Sequence, residues 1–383
     1  MTSEERIRSA INLRIPDRIP TDARIQAFAC RQKGAPVIGI SGGADEKAGS
    51  SILKAYHDTY DDLGGYDAQI FAGLSLPASS WRLNIPAFQV ILPGTEGIPN
   101  HFGIQFKEKE NMTLKDYEKI TNFGWNGFCE EYFPRVFGIP LEKIDASQKR
   151  LLEISKQDAR WWKERGVDVT VGASAFSVET ILSMDRTFPK FIMDLHRYPE
   201  MVLAAMEAMV PDIIQNSIND AEASGIPCVA VGMHRGAGCY FGLDVYERFF
   251  FPQLKKMVDA FVEAGLTVAL HMDADWTLNL PYLKELPKGK CICELDGTTN
   301  IVKAKEILNG HMCIMGDIPA TLLTLGGPDE VTAYCTKLID VIGKGGGFIL
   351  STGCECPVDA KFENVKAMFD TAKNYYPHGS ALG

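Results

Sequence analysis

The stretch TVALHMDADWTLNLPYLKELPKGKCICELDGTTNIVKAKEILNGHMCIM, residues 267–315, decides the fold. It contains three short apolar runs that predict β-strands: Thr267–Met272, Lys290–Leu295 and His311–Met315. A segment with helical spacing separates each run from the next. Strands that alternate with helices are typical of a parallel sheet, because a parallel connection needs a crossover of a dozen or more residues.

The same alternation extends in both directions along the chain. Further strands are predicted at Val167–Ala173, Cys228–Met233 and Phe348–Ser351, with weaker ones at Arg18–Thr21 and Tyr66–Phe71 and a β-hairpin within Ser79–Leu92. Helices are predicted at Ser51–Leu63, Asp145–Arg165, Pro199–Ser224, Val245–Ala264, Leu278–Leu286, Ile301–Leu308, Glu330–Ile342 and Phe362–Tyr375.

About eight parallel strands predict an α/β protein built as a (β/α)8 TIM barrel with an N-terminal extension, in which residues 1–383 form one domain. An open doubly wound sheet is the alternative. Its dinucleotide-binding version is disfavoured, because no predicted strand is followed by a G-x-G-x-x-G turn.

Composition excludes several classes of protein. Lys plus Arg total 39 and Asp plus Glu total 49, and the resulting net charge of −10 disfavours a nucleic-acid partner. No run approaches the ~18 apolar residues of a membrane-spanning helix, and the N-terminus MTSEERIRSA is too charged for a secretory signal. The ten cysteines are interpreted as reduced thiols or ligands. We expect a cytoplasmic protein with no membrane or nucleic-acid partner.

Polar side chains follow five consecutive predicted strands. In a barrel these positions meet at the C-terminal mouth, where the chemistry occurs. They are His234 and Arg235, His271 and Asp273, Glu294 and Asp296, Asp317, and Cys354 and Glu355.

A metal site is one interpretation of these residues. His271 and Asp273 are two positions apart and would share a face of a strand, and Cys354 ends the last strand. Imidazole, carboxylate and thiolate are all zinc ligands, and three protein ligands with an open position is the catalytic arrangement. Cys356 competes with Cys354, but Pro357 is expected to turn the chain there. The alternative is a set of hydrogen-bonded histidines and strand-capping carboxylates.

Several segments carry a resemblance to a known family. They are RIPDRIP (14–20), FPKFIMDLHRYPEMVLAAMEAM (188–209), FFPQL (250–254), HMDADW (271–276), MGDIP (315–319) and GCECPVDAKFENVKAM (353–368). The chain resembles the uroporphyrinogen decarboxylase superfamily, and within it the corrinoid-dependent methyltransferases. The resemblance implies a (β/α)8 barrel with zinc at its mouth, bound through His-x-Cys and a later Gly-Cys. His271 and Cys354 match two of these ligands, and Asp273 stands where the middle Cys would be.

The carboxylate at position 273 suggests a particular substrate. It donates less electron density than a thiolate, so zinc remains a stronger Lewis acid that can stabilise an oxygen leaving group. We therefore expect methyl transfer from a methoxylated aromatic compound to a Co(I) corrinoid, that is, O-demethylation. Glu294, His234 and Arg235 are the catalytic candidates. The candidate substrate contacts are Tyr240, Trp276 and Asp317.

The corrinoid is expected to arrive on a separate partner protein, because 194–199 (DLHRYP) has Pro where the D-x-H-x-x-G corrinoid motif has Gly. Three alternatives stay open. One is methyl transfer from a methyl-corrinoid to a thiol or folate. Another is uroporphyrinogen decarboxylation, which is disfavoured because 29–34 (ACRQKG) keeps a single Arg-Gln pair of the decarboxylase's arginine motif. The last is a non-catalytic binding barrel.

Overall fold

The structure is a computed structural model that describes residues 1–37, 46–74, 89–91, 97–99 and 105–375. Its strands are β1 (Asp22–Ala23), β2 (Ala68–Gln69), β3 (Gln89–Ile91), β4 (Gln105–Lys107), β5 (Asp168–Val169), β6 (Ala173–Phe176), β7 (Cys228–Met233), β8 (Thr267–Met272), β9 (Cys291–Leu295), β10 (Cys313–Ile318) and β11 (Phe348–Thr352).

The α-helices lie mostly between the strands. They are α1 (Ser3–Ile11), α2 (Gln26–Lys33), α3 (Glu46–Asp62), α4 (Leu114–Phe137), α5 (Leu141–Glu164), α6 (Val178–Asp185), α7 (Phe188–Arg197), α8 (Pro199–Ser224), α9 (Leu243–Val245), α10 (Phe251–Glu263), α11 (Ile301–Leu308), α12 (Ala320–Leu325), α13 (Pro328–Val341) and α14 (Phe362–Asn374). A π-helical turn, Tyr246–Phe250, joins α9 to α10, and a 3-10 helix, Leu280–Glu285, follows β8.

The parallel strands close into a barrel. One parallel sheet runs β6-β7-β8-β9-β10-β11 and another runs β1-β2-β5. The two sheets join at both ends. β5 and β6 are two halves of one strand, and the amide of Gly172 between them donates to Cys228. On the other side, Thr21 bridges to Leu350, whose amide donates to Pro20. Eight strand positions therefore form a (β/α)8 barrel, which confirms the predicted fold class.

Several elements differ from the sequence-based expectations, among them helices α1, α2, α6, α7 and α12, which were not predicted. The predicted strand Val167–Ala173 is split, because β5 pairs with β2 whereas β6 pairs with β7. The hairpin is formed by β3 and β4, so most of the predicted segment Ser79–Leu92 lies outside the described residues. Helix α4 was not predicted; it bends at Gly124, whose φ of 72° interrupts the helical periodicity.

Helix α1 is the N-terminal extension and closes one end of the barrel. Its buried Ile7 and Ala10 belong to the same apolar cluster as inward-facing strand residues such as Ala230, Ala269 and Ile292. Because α1 also contacts the first part of the split strand, β5, it lies at the end of the barrel where the strands begin. The opposite end, where chemistry is expected, stays free of this helix.

Strand register builds the site layer by layer. Ala230, Ala269 and Ile292 are paired neighbours on β7, β8 and β9 and fill one interior layer. Two residues further on, the same register pairs Gly232 with His271 and His271 with Glu294. Since alternate residues share a face, His271 and Glu294 form the next layer toward the mouth.

Within the described part of the chain, no helix is both long and apolar enough to cross a membrane.

Candidate metal centre

His271 lies at the centre of the candidate site, with its two ring nitrogens in different surroundings. Nδ1 is 3.1 Å from Oε2 of Glu294, and Nε2 is 3.1 Å from Oδ1 of Asp273. Burial disfavours charge on this imidazole, but Glu294, Cys354 and Asp273 outweigh that effect and raise the pKa of His271 well above its ordinary value. One nitrogen thus faces an orienting carboxylate, and the other faces possible metal ligands.

Asp273 and Cys354 complete the trio predicted from the sequence. Asp273 directly follows β8, and its amide donates to Met233 of the neighbouring strand. The Sγ of Cys354 lies 3.6 Å from Nε2 of His271. Burial would raise the pKa of Asp273, but the adjacent His271 and His234 hold it well below the usual range of a carboxyl group. Asp273 and Cys354 therefore both lie close to Nε2 of His271, although the described donors that lie within 4.8 Å of one another are His234, His271 and Asp273, without Cys354.

The two distances measured from Nε2 of His271 are those expected between ligands of a zinc ion. With tetrahedral angles and the usual Zn–N, Zn–O and Zn–S bond lengths, a nitrogen lies about 3.3 Å from an oxygen ligand and about 3.6 Å from a sulfur ligand. The corresponding distances from His271 Nε2 are 3.1 Å to Asp273 and 3.6 Å to Cys354. A carboxylate on the far nitrogen is the usual partner of a metal-binding histidine.

His234 is a further donor that the sequence analysis assigned to catalysis and not to the metal. Its Nδ1 lies 3.4 Å from Oδ2 of Asp273, and ligand atoms of His234, His271 and Asp273 all lie within 4.8 Å of one another. Burial lowers the pKa of His234 to about 4, so the ring is neutral at pH 7 and able to bind a cation. The register of β7 against β8 explains this contact. Met233 pairs with Met272, so the next residues, His234 and Asp273, lie side by side.

Arg24 is the contributing residue that the sequence analysis missed. It follows β1, is 8% exposed, and its Nη2 lies 2.6 Å from Oε1 of Glu294. The sequence analysis sought the family's arginine in 29–34, but most of that segment lies in helix α2, where Arg31 is exposed. Strand β1 is two residues long, and its apolar signal was too weak to show that Arg24 ends it.

The segment carrying Cys354 is held in place by the residues after β1. The amide of Cys356 donates to the carbonyl of Arg24 at 2.7 Å. Oε1 of Glu355 accepts a hydrogen bond from the amide of Ala27 at 2.7 Å, at the start of helix α2. The thiol of Cys356 is buried and lies 3.8 Å from the carbonyl of Pro357, so Cys354 is the thiol at His271.

Arg235 and Tyr240 lie at the rim of the mouth. Arg235 is paired with Glu108 at 2.6 Å and lies over the ring of Phe188. Tyr240 is 49% exposed and contacts the same ring of Phe188 edge-on. Both positions remain accessible to a substrate that enters the barrel.

Trp276 and Asp317 are not brought into the cluster. Trp276 is fully buried, and its indole Nε1 donates to the carbonyl of Asp273 at 2.6 Å, so it supports the loop that carries that carboxylate. Asp317 accepts a hydrogen bond from the hydroxyl of Tyr334 at 2.9 Å, and burial raises its pKa to about 6. These contacts occupy the polar atoms of both side chains, and neither residue belongs to the donor cluster; their role as substrate contacts stays a prediction.

Comparison with known proteins places this site in a family. The chain is similar to two proteins named methylcobamide:CoM methyltransferase MtbA, from Methanosarcina acetivorans (29% identity) and Methanosarcina mazei (28%), each over 134 residues. That match covers 35% of this chain and 38% of each relative, so the chain matches less than half of their length.

Similarity in fold extends over more of this chain than similarity in sequence does. A solved methyltransferase from Methanosarcina mazei superposes with a TM-score of 0.69 at 15% identity, covering 98% of this chain and 99% of the other. The model of the uroporphyrinogen decarboxylase (URO-D) family matches residues 140–375, which is more than half of the chain and contains every candidate metal ligand. The chain therefore belongs to the uroporphyrinogen decarboxylase family.

Proposed function

We propose that this protein is a corrinoid-dependent methyltransferase that takes the methyl group of a methoxylated aromatic compound and passes it to the Co(I) corrinoid of a separate protein. The observation that carries the proposal is the convergence of His271, Asp273 and Cys354 at the barrel mouth. The similarity to proteins named methylcobamide:CoM methyltransferases supports the corrinoid part of it.

His271 and Asp273 would hold zinc together with His234, whose ligand atoms lie within 4.8 Å of theirs, and with Cys354, 3.6 Å from Nε2 of His271. Of these donors, His234 is the one that a substrate oxygen would replace. Zinc bound there would supply a Lewis acid for the ether oxygen. Asp273 contributes a carboxylate where a thiolate would donate more charge, which favours an oxygen leaving group. In this proposal Glu294 would orient His271, and the rim residues Arg235 and Tyr240 would hold the aromatic ring.

The overall reaction balances with these partners. The carbon–oxygen bond of the ether breaks, its electron pair stays on the oxygen, and the resulting phenolate takes a proton from solvent. The methyl carbon forms its new bond with the electron pair of Co(I), which becomes methyl-Co(III). No external oxidant or reductant is consumed in the transfer itself.

The test is a methyl-transfer assay with purified components. The protein is mixed with a reduced corrinoid protein and a methoxybenzoate, and the methyl-cobalt absorbance and the free phenol are followed together. We expect both to rise in equal amounts, and to be lost in His271→Ala and Cys354→Ser. If methoxylated aromatics give no methyl-cobalt signal in the presence of zinc-loaded protein, the proposed donor is wrong.

Transfer from a methyl-corrinoid to a thiol is the second candidate, favoured by the similarity to the MtbA proteins. It is tested by starting from methylated corrinoid protein and adding a thiol. Loss of methyl-cobalt with the thiol, and none formed from methoxylated aromatics, would favour this candidate over the first.

Uroporphyrinogen decarboxylation has less support at this mouth. Arg24 and Arg235, the two arginines described at the site, are already paired with Glu294 and Glu108. The charges of both arginines are thus already partly compensated, which leaves little positive charge to neutralise the carboxylates of a porphyrinogen. We expect no decarboxylated product when uroporphyrinogen is incubated with the protein.

A further inference from the structure

We propose that Arg24 is a positioning residue. It keeps Glu294 turned toward Nδ1 of His271 and so keeps that carboxylate out of the set of metal ligands. This role rests on the metal site of the proposed function and adds a residue that neither the sequence motifs nor the ligand cluster includes. Its consequence is that one coordination position stays open for substrate.

Both oxygens of Glu294 lie within ion-pair distance of nitrogens on the side away from Asp273 and Cys354, though not in hydrogen-bond geometry. Oε1 lies 2.6 Å from Nη2 of Arg24, and Oε2 lies 3.1 Å from Nδ1 of His271. Asp273 and Cys354 approach the other nitrogen of the same imidazole, Nε2. Glu294 therefore contacts Nδ1, whereas the donors lie at Nε2, and in this arrangement Glu294 cannot share a metal with them.

Arg24 is the group that compensates the charge of Glu294. The glutamate side chain is fully buried, and that of Arg24 is 9% exposed, so water does little to stabilise the carboxylate. A buried carboxylate without a paired cation is costly, and removing one partner of such a pair leaves that cost in full. Without Arg24, a divalent cation at His271 would be the strongest positive charge within reach.

Glu294 is also close enough to move. It is the register partner of His271 on the adjacent strand, and neighbouring strands lie about 4.8 Å apart. Both side chains project into the same interior layer toward the mouth, and a carboxylate oxygen is a normal zinc ligand. A glutamate released from Arg24 would therefore join the donor set and occupy the position that the substrate oxygen needs.

The main chain of Arg24 acts on the other half of the site. Its carbonyl accepts the amide of Cys356 and so fixes the segment that presents Cys354. Substitutions of the Arg24 side chain leave this carbonyl in place. Effects of such substitutions therefore act through the guanidinium, which also lies 5.5 Å from the ring of Phe71 and interacts electrostatically with Cys354. The double variant with Glu294→Gln separates the contribution of Glu294 from these.

The experiment measures metal binding without turnover, in Arg24→Gln, Arg24→Lys, Glu294→Gln and the double variant Arg24→Gln/Glu294→Gln. The zinc dissociation constant is obtained by competition with a chelator, and ligand number is read from the visible spectrum of the Co(II)-substituted protein. We expect Arg24→Gln to bind zinc about tenfold more tightly and to show a changed cobalt spectrum, because a carboxylate has joined the metal. Arg24→Lys keeps the charge and should resemble the wild type.

Glu294→Gln separates an orienting role from a ligand role. It should weaken zinc binding by about 10- to 100-fold, as is typical when the partner of a metal-binding histidine is lost, with an unchanged cobalt spectrum. The double variant should show the same unchanged spectrum, because the carboxylate that would move is gone. Arg18→Gln is the matched control, since Arg18 pairs with buried Asp67 at the opposite end of the barrel. It should leave zinc binding unaltered.

Two results would overturn the role of Arg24. One is an Arg24→Gln protein that folds and has the zinc affinity and cobalt spectrum of the wild type. The other is a changed cobalt spectrum in Glu294→Gln, which would make Glu294 a ligand in the native protein; this arm decides the question even if Arg24→Gln does not fold. A wild-type protein that binds neither zinc nor Co(II) would instead overturn the metal site of the proposed function, and this role with it.

Discussion

Cys354 and Cys356 are two residues apart, but only the first is placed to bind a metal. Cys354 is exposed and lies 3.6 Å from His271 Nε2, whereas Cys356 is fully buried and burial raises the pKa of its thiol well above the ordinary value. We expect Cys354→Ser to lower the zinc content of the purified protein at least tenfold. Metal analysis by mass spectrometry after dialysis checks this.

Cys356→Ser is the matched control for that experiment. It changes the same atom two positions along the chain, away from the donor cluster. We expect it to retain its zinc and to lose some stability, because a hydroxyl replaces a buried thiol. Equal loss of zinc in both variants would contradict the assignment of Cys354 as a ligand.

Glu179 makes the stability of the protein depend on pH. Burial raises its pKa to about 7, while the hydroxyl of Ser177 donates to the carboxylate and partly opposes that shift. In the unfolded chain the group ionises above its ordinary value of 4.5, so the free energy of unfolding falls as pH rises from 4.5 to about 7. The difference corresponds to roughly 3 kcal/mol.

We therefore expect Glu179→Gln to be as stable as the wild type near pH 4.5 and more stable by up to roughly 3 kcal/mol at pH 8. Urea unfolding at both pH values measures the difference. Glu200→Gln, at an exposed position on α8, should show no such pH-dependent gain. A constant difference between Glu179→Gln and the wild type across this range would rule out the raised pKa.

How much of the site was predictable depends on sequence distance. His271 and Asp273 could be predicted together, because alternation within one strand fixes their relative position. His234 could be placed at the mouth but not among the metal ligands, since that depends on the pairing of β7 with β8. Arg24 could not be assigned to the site, because it follows a first strand of only two residues. The local alternation of apolar and polar residues does not determine which residues of two distant strands pair with each other.

At the scale of elements, helix α2 and the segment after β11 stabilise each other. Helix α2 has no side-chain cap of its own at Ile25, and Glu355 supplies the missing acceptor by binding the amide of Ala27. Glu355 immediately follows Cys354, so the cap also fixes the position of that thiol. The same contact thus contributes to the fold and to the candidate metal centre.

We expect Glu355→Ala to lower the free energy of unfolding by about 1 kcal/mol, the usual cost of a lost helix cap, and to weaken zinc binding about tenfold. Glu355→Gln keeps an oxygen that accepts the amide of Ala27 and should stay close to the wild type in both respects. Chemical denaturation and chelator competition on the two variants check this. If Glu355→Ala loses stability but keeps its zinc affinity, the cap does not position Cys354.

Elements with strong local signals matched the sequence-based prediction. Helix α8 has the predicted bounds Pro199–Ser224, because a proline begins it and Gly225, with φ of 75°, ends it. Strands β7 and β8 also have the predicted bounds. The break between β5 and β6 was missed, since it arises where the strand changes its pairing partner from β2 to β7.

On the scale of the whole molecule, stability and chemistry lie at opposite ends of the barrel. Helix α1 fills the end where the strands begin, and Arg6 and Arg18 both pair with the buried Asp67 there. The candidate ligands occupy the other end, at or just beyond the C-terminal ends of the strands. In (β/α)8 barrels such a division lets the loops carry chemistry while the closed end maintains the fold.

Ile7 tests this division directly. It is 2% exposed in the interior cluster of the barrel, so Ile7→Ala should lower the free energy of unfolding by about 2–4 kcal/mol through the cavity it creates. Zinc affinity should not change, because the interior layer of Ala230, Ala269 and Ile292 lies between the end of the barrel that Ile7 fills and His271. Ile15→Ala, at a position that is 72% exposed, removes the same atoms from the surface and should change stability by less than about 0.5 kcal/mol. Urea denaturation and zinc titration of both variants measure the two quantities independently. A loss of zinc affinity in the folded Ile7→Ala protein would show that the two ends are coupled, and that helix α1 influences the geometry of the mouth.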